Sequence, residues 1–538
     1  MLIEKLLIKN YKFFSDIEVE LNSDLNVFVG DNDTGKSTLM EALSIVTTGK
    51  INGNYLEKLL NLDHFNSQVR NQYVEQIREG KDSKLPIIVF EVYCKNDSLF
   101  SVYKGTNNTL GIDTPGIHLE VKFDNQYADD YKELVRNSLI NDIPIEYYNV
   151  DAYYFSGTPI DYRKSPFYVA FVDTTKNNYN KVIDNFINEN IAEYLTPKDR
   201  ADLSFEFRNY RSQFSESELV KKLNKTLESD INLLKNRNIN IDMREENRDS
   251  WKSQMAIKLD NLPFESLGLG TRNTVKIELA LRAQNKLTNI LMIEEPENNL
   301  SYSNMNILID KIYSSKDKQV FISTHSSFVS NKIGLDKITV LHNRNAMRLN
   351  NLPKDTMRYF MKLPGYDTLR LVLARKVILV EGPSDELIVQ RAYKDCHGKL
   401  PIQDGVDVIT VDSLAFKRYL DVAVLIKKHT VVITDNDGNI QKNIFEKYSD
   451  YHKYPFIEFT YENDESRKTL EPSIAYINNS SDDYETFASV ITRKSGVNPQ
   501  PIDEILAYMS DNKTEWSLRV FESDLNIKYP EYIINAIK

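Results

Sequence analysis

Cysteine is nearly absent from this 538-residue chain. Only Cys94 and Cys396 occur, far apart and without His or Cys neighbours at ligand spacing. This argues against a disulfide framework or a zinc site and makes a reducing cytoplasm the expected compartment. Long apolar runs are also missing. Stretches such as "VVI" and "NILMI" fall far short of the about 20 residues that a membrane helix needs, so no membrane partner is expected. The opening "MLIEKLLIKNYKFF" has no small-residue cleavage site and soon becomes alternating sequence, which reads as a first strand rather than a signal. Positive charge is not in excess: 67 Lys and Arg face 78 Asp and Glu, for a net charge of −11. That disfavours a nonspecific nucleic-acid coat. It leaves room for a nucleic-acid enzyme, which needs only a local basic surface beside an acidic metal site. Internal repeats and low-complexity segments are lacking too.

What is present is the composition of an ordinary globular protein, 41% hydrophobic and 27% charged, with a length that implies two to four domains. Residues 1–45 read as strand, turn, strand, loop, helix. Short β-rich runs ("LPIIVFEVYC", "IHLEVKF", "NVDAYYF") continue this region to about residue 160. From 161 to 250 the character turns helical. Ser215 and Glu218 have capping-box spacing, and Leu219, Leu223, Leu227 and Ile231 follow at four-residue intervals with Leu234 near the same face. This predicts either a helix packed on its own domain or an inserted dimerisation hairpin. Apolar strands return over 251–355, and Leu352–Leu369 reads as a linker. From 370 to 538 strands alternate with helices, which predicts a second, parallel α/β unit.

The first chemistry is nucleotide binding. "GDNDTGKST" matches G-x-x-x-x-G-K-[ST] between an apolar strand, "LNVFV", and a helix, which is the context that a phosphate-cradling loop needs. Gly30, Asn32, Gly35 and Thr38 belong to this loop, whose backbone N–H groups and following helix N-terminus face phosphates. Lys36 is expected to reach the β/γ-phosphates and Ser37 to ligate Mg²⁺. In "NILMIEEPENNL" a hydrophobic strand ends in two acids. Glu294 would hold Mg²⁺ and Glu295 would polarise the attacking water. "QVFISTHSS" ends another strand with His325, placed to sense the γ-phosphate. "SLGLGTRNTVKIELAL" sets Ser266, Gly268 and Gly270 just before a long helix.

The second chemistry is a set of carboxylates. "TDNDGNIQKNIFE" has the alternation of a calcium loop, but Ile440 stands where such a loop needs Gly, and a strand rather than a helix precedes it. "RKVILVEGPSDE" also ends a strand on an acid, Glu381, with Asp385 and Glu386 just inside the next helix. In a parallel sheet, strand C-termini gather at one edge. Glu381 would therefore converge with Asp435 and Asp437. Such carboxylates hold Mg²⁺ or Mn²⁺, which polarise a phosphodiester and activate water.

The order of the first motifs resembles an ABC-type ATPase of the RecF/SMC branch. Walker A is Gly30–Ser37, a degenerate signature Ser266–Gly270, Walker B Ile290–Glu295, the D-loop Pro296–Leu300 and the H-loop His325. Two departures stand out: Glu294 replaces the usual Walker B Asp, and the signature lacks the LSGGQ spelling. Strand–Glu–Gly followed by strand–Asp-x-Asp resembles a Toprim domain. The two modules in this order resemble the OLD (overcoming lysogenization defect) family of ATP-dependent nucleases over nearly the whole chain. The resemblance implies an α/β fold: an ABC-type P-loop ATPase with an inserted helical segment, then a Rossmann-like Toprim sheet. It implies ATP and Mg²⁺ (or Mn²⁺) as cofactors, with Glu471 as a further metal ligand and Lys513 stabilising the phosphate transition state. It also implies DNA as substrate, a homodimer or higher oligomer, and a role in phage defence, either alone, with a UvrD-like helicase as in Gabija systems, or with a retron reverse transcriptase and its msDNA. A RecF-like repair ATPase with an inert Toprim fold, a Toprim topoisomerase or primase, and an RNA substrate remain alternatives.

Overall fold

Apolar alternation in the first residues becomes a strand that the rest of one sheet is built on. The computed structural model describes residues 2–80, 84–137, 140–174, 195–230, 241–242, 251, 258–282, 288–298, 300–314, 318–326, 333–362, 367–411, 415–479, 484–492 and 501–538. Ile3–Tyr11 is strand β1 and Leu25–Val29, buried at all five positions, is β2. Helix α1, Lys36–Thr48, follows. It buries Leu39, Met40, Leu43 and Val46 at helical spacing. Ile88–Cys94 (β3), Thr114–Phe123 (β4) and Tyr148–Tyr154 (β5) join β1 as an antiparallel sheet in the order β1-β3-β4-β5.

The chain divides into two compact units, Met1–Asp16 with Leu21–Leu25 and Ser37–Ser323, and Ile17–Glu20 with Asn26–Lys36 and Thr324–Lys538. In the first, Tyr168–Asp173 (β6) runs parallel to Thr288–Glu294 (β7), which runs parallel to Gln319–Thr324 (β8). Strand β6 falls inside the segment 161–250 that reads as helical insertion. "YVAFVD" is a short run with two β-branched valines, and its pairing with β7 makes it part of the sheet that ends at Glu294; the helices begin only later. Pro197–Ser215 (α2) starts on a true capping box, in which Thr196 accepts from the Asp199 amide and the Asp199 carboxylate accepts from Thr196. Ser215 is not the cap that its spacing with Glu218 suggests. It is the last residue of α2, and its hydroxyl donates to the Arg211 carbonyl. Glu218–Asp230 (α3) follows, with Leu219 and Leu223 exposed. Ile231 and Leu234 lie outside the described residues. Leu269–Arg282 (α4) precedes β7.

In the second unit, Ile338–His342 (β9) pairs parallel with β2 and antiparallel with Asn345–Arg348 (β10). Part of the expected linker is helical over Lys354–Lys362, started by the Met357 amide donating to the Pro353 carbonyl. A four-stranded parallel sheet follows. Its strands are Lys376–Val380 (β11), Val406–Thr410 (β12), Thr430–Ile433 (β13) and Ile457–Thr460 (β14), in the order β12-β11-β13-β14. Strands β11 and β13 are almost wholly apolar because both faces are covered. The covering helices are Pro383–His397 (α5), Phe416–Ile426 (α6), Leu470–Asn479 (α7), Lys513–Glu522 (α8) and Glu531–Ile537 (α9). Trp516 of α8 is fully buried in one core with Val380, Ile388 and Ile533. Buried Arg391 of α5 fastens the end of α8 by donating to the carbonyls of Val520 at 2.6 Å and Leu525 at 2.9 Å.

Candidate functional site

Gly35 has φ +95°, a conformation that side-chain-bearing residues avoid. Lys36 is buried, and its ammonium donates to the carbonyls of Gly30 and Asp31, both at 2.9 Å. It also lies 3.2 Å from Nδ1 of His325, so the loop lysine and the strand-end histidine meet. Asn32 and His325 are exposed. In the first unit, Ser37 and Glu294 line a common cavity of about 150 Å³ with Glu41, Asn52 and Phe171. Thr38 is part of the first turn of α1. Glu294 is buried at the end of β7.

Glu295 sits in a left-handed conformation, φ +48°, that an acid adopts only when its surroundings impose it. They do so here. Its amide donates to the Ser323 carbonyl at 2.9 Å. The Thr174 hydroxyl reaches the carbonyls of Glu294 and Glu295 at 2.8 and 2.6 Å. Asp173 lies in register with Glu294 across β6 and β7. Sequence reading missed Asp173 and Thr174. The available signal was a further apolar strand ending on an acid. Ser266 and Gly268 are exposed at the start of α4, and Gly270 is in its first turn.

The parallel sheet of the second unit brings the distant acids to one edge. Glu381, just after β11, accepts from the Thr434 hydroxyl at 2.6 Å and the Asp435 amide at 3.0 Å, just after β13. Asp385 and Asp435 are pushed up, to about 7 and about 9. Burial is the main cause for each, followed by neighbouring acids: Glu381 and Glu471 act on Asp385, and Asp385, Glu381, Glu471 and Asp437 act on Asp435. All five predicted carboxylates therefore share one electrostatic environment. Glu386 turns away, accepting from Thr410 at 2.6 Å and Gln390 at 3.1 Å. Of the two adjacent acids, Asp385 is the one on which the charges of Glu381 and Glu471 act. Glu471 is buried in the first turn of α7 and accepts from Thr469 at 2.7 Å.

Asp437 is exposed with φ +47°. Its turn is held by Asn436, a fully buried amide that donates to the Glu462 carbonyl at 2.8 Å and accepts from the Gly438 amide at 2.9 Å. Lys513 has an exposed side chain, and its carbonyl accepts from Ser384 at 2.8 Å, next to Asp385. Gln441–Glu446 is a π-helical turn with Glu446 exposed.

Among the described residues, no three acids, imidazoles or thiolates stand close enough to form a ready-made metal cage. Burial, reinforced by the neighbouring acids, nonetheless favours the protonated form of Asp385 and Asp435. Buried like charges of this kind suit a divalent cation with oxygen ligands. The sign of the pH effect follows. Both pKa values are raised in the folded chain, so the contribution of these two acids to metal-free stability is complete below about pH 4, the unfolded carboxylate range, and is lost as pH rises through about 7 and about 9. Asp435→Asn removes one of these charges. In EDTA at alkaline pH the variant should melt a few degrees above the wild type, at roughly 2–4 °C per kcal/mol for a domain of this size. The gap should shrink toward pH 4, as scanning fluorimetry across pH will show.

The AAA ATPase domain family model matches residues 1–235 and 170–329, and the "Overcoming lysogenization defect protein-like, TOPRIM domain" model matches residues 372–437. An "ATP/GTP phosphatase" of Helicobacter pylori (strain ATCC 700392 / 26695) is 25% identical over 340 residues, 60% of this chain and 85% of that protein. Among solved structures, the SMC head domain from Thermotoga maritima is 13% identical, covering 64% of this chain and 97% of that one, with a TM-score of 0.31. The C-terminal region of the Burkholderia pseudomallei OLD protein is 15% identical, covering 30% and 95%, with a TM-score of 0.26. With more than half of its length matched by the ATPase model and an OLD-like TOPRIM domain following it, the chain belongs to the AAA ATPase domain family in the ATPase–Toprim form of the OLD proteins.

Proposed function

We propose that this protein is an ATP-controlled, divalent-metal-dependent DNA endonuclease that acts as a homodimer in phage defence. The observation that carries the reading is the five-carboxylate environment of Glu381, Asp385, Asp435, Asp437 and Glu471 at the edge of a parallel sheet. These residues would hold Mg²⁺ or Mn²⁺, which supplies Lewis-acid polarisation of the phosphodiester and an activated water when bound. Thr434 and the Asp435 amide keep the Glu381 carboxylate oriented. Asn436 holds the turn that presents Asp437. Lys513, anchored through its carbonyl to Ser384, would offset negative charge developing on the phosphate. In the ATPase, Lys36, Ser37 and Glu294 would bind the nucleotide and its Mg²⁺, Glu295 would orient the attacking water, and His325 would face the γ-phosphate. Ser266 and Gly268, exposed at the start of α4, with Gly270 in its first turn, would cover nucleotide held by a second copy.

The test is purified full-length protein with supercoiled plasmid and Mn²⁺. Nicked or linear product that disappears in EDTA supports the reading. Absence of cleavage with and without nucleotide would overturn it in favour of an inert Toprim fold. A covalent protein–DNA adduct trapped by denaturant would instead indicate a topoisomerase. The defence role is tested by phage plating, and a neighbouring reverse-transcriptase or helicase gene would name the system.

The dimer reading is supported by apolar side chains left exposed on the helical hairpin: Phe205, Tyr210 and Phe214 on α2, and Leu219, 80% exposed, with Leu223 on α3. Leu219→Asp with Leu223→Asp should shift the protein from dimer to monomer in sedimentation at micromolar concentration while leaving its circular dichroism unchanged.

A further inference from the structure

The loop that precedes β13 contains a buried lysine that neither proposed reaction uses. Lys428 is 1% exposed. Its amide donates to the Ala423 carbonyl at 2.9 Å, closing α6. Its own carbonyl accepts from the Thr430 hydroxyl at 3.1 Å, at the first residue of β13. Its ammonium donates to the carbonyl of Ala374, two residues before β11. The residue thus links the entries of the two strands that end at Glu381 and Asp435: its side chain holds the segment before β11, and its backbone leads directly into β13.

The same ammonium is sensed by the phosphate loop's surroundings. Burial pushes Lys428 down to about 8, and the acid whose charge acts against that is Asp31, the second residue of the loop. His342, at the end of β9, is pushed down to about 4 by burial and then by the Lys428 charge. Strand β9 is the parallel neighbour of β2, which leads into the loop, with Val29 opposite Val340. The approach is tight: a Cβ on Gly30 would lie 2.7 Å from the Leu341 carbonyl oxygen. Thr339 of β9 and Leu425 of α6, three residues before Lys428, line one cavity, so the loop, β9 and the end of α6 that carries into Lys428 are consecutive neighbours. A buried cation in a low-dielectric setting responds to charge over a longer range than a solvated one. A polyphosphate on the loop adds negative charge on the side where Asp31 already acts.

We propose that Lys428 is a positioning residue that transmits nucleotide occupancy of the Gly30–Lys36 loop to β13, and so to the placement of Asp435. The proposal rests on the reading of the loop as a nucleotide site and of the carboxylates as the nuclease centre. Its test separates from theirs because the first readout is not cleavage. Amide hydrogen exchange of Val431–Ile433 is measured on the full-length protein with Mg²⁺, with and without a non-hydrolysable ATP analogue, for wild type, Lys428→Arg and Lys428→Met. The analogue should slow exchange by about fivefold or more in the wild type and Lys428→Arg. Lys428→Met should bind the analogue and show no such change. The ratio of plasmid-cleavage rates with and without nucleotide should fall to one in Lys428→Met, with basal cleavage within about twofold of wild type. No exchange response in the wild type, or an equal response in Lys428→Met, overturns the proposal. Loss of analogue binding in Lys428→Met also overturns it, since the residue would then shape the loop rather than transmit from it. An intact exchange pattern without any cleavage removes the nuclease reading and leaves the coupling standing.

Discussion

Asp435→Ala should lower the rate of Mn²⁺-dependent plasmid cleavage by about 10³-fold or more while leaving ATP hydrolysis within about twofold of wild type. Metal-borne charge stabilisation is worth several kcal/mol, and about 1.4 kcal/mol corresponds to tenfold in rate. Asp435 is the acid on which all the others act: Asp385, Glu381, Glu471 and Asp437 each raise it further after burial. Removing it deletes the group at the centre of the set rather than one at its rim. Its backbone amide, which orients Glu381, survives the substitution, so the loss reports the carboxylate and not a collapsed turn. Glu386→Ala is the matched control. That acid faces Thr410 and Gln390, and its loss should cost less than about tenfold. Equal cleavage by Asp435→Ala and wild type would end the nuclease reading.

The second large effect concerns Lys36→Ala, which should reduce ATP hydrolysis by roughly 10²–10³-fold, as removal of one preorganised donor does elsewhere. Lys36 is buried, and its ammonium rests on two carbonyls of its own loop and beside His325. A β/γ-phosphate would draw the ammonium from those carbonyls at little conformational cost. Phosphate-release assays and binding of a fluorescent nucleotide will separate a loss of turnover from a loss of affinity. A variant that hydrolyses ATP at the wild-type rate would remove the loop lysine from the mechanism.

The strands that carry these residues were legible because each is a short apolar run ending on Gly, Glu, His or Asp. The strand "LNVFV" before the glycine loop and "KVILV" before Glu381 could hardly be anything else. Strand β6 was harder to read. "YVAFVD" stands alone before a helical region, and only its pairing with β7, more than a hundred residues later, reveals its place. The spacing of Ser215 and Glu218 matched a cap, but the helix boundary is decided upstream at Thr196 and Asp199. At the carboxylate cluster, sequence supplied the acids but not their orientation. Glu386 looks equivalent to Asp385 until the helix rotates it toward Thr410. Asn436 and Lys428 gave no signal, because a buried polar residue's partners are backbone carbonyls that no spacing rule names.

The pairing of β2 with β9 has a consequence for biogenesis. Val27 has Ile338 as its neighbour, so the strand that aims the glycine loop lacks that neighbour until some three hundred further residues have been made. At about 5–20 residues per second this is a delay of roughly 15–60 s on the ribosome. The parallel sheet that carries the acids is assembled from a contiguous stretch, β11 to β14, that emerges only after β9. Synthesis order therefore lets the strand before the glycine loop gain its β9 neighbour before the strands that lead to Glu381 and Asp435 exist.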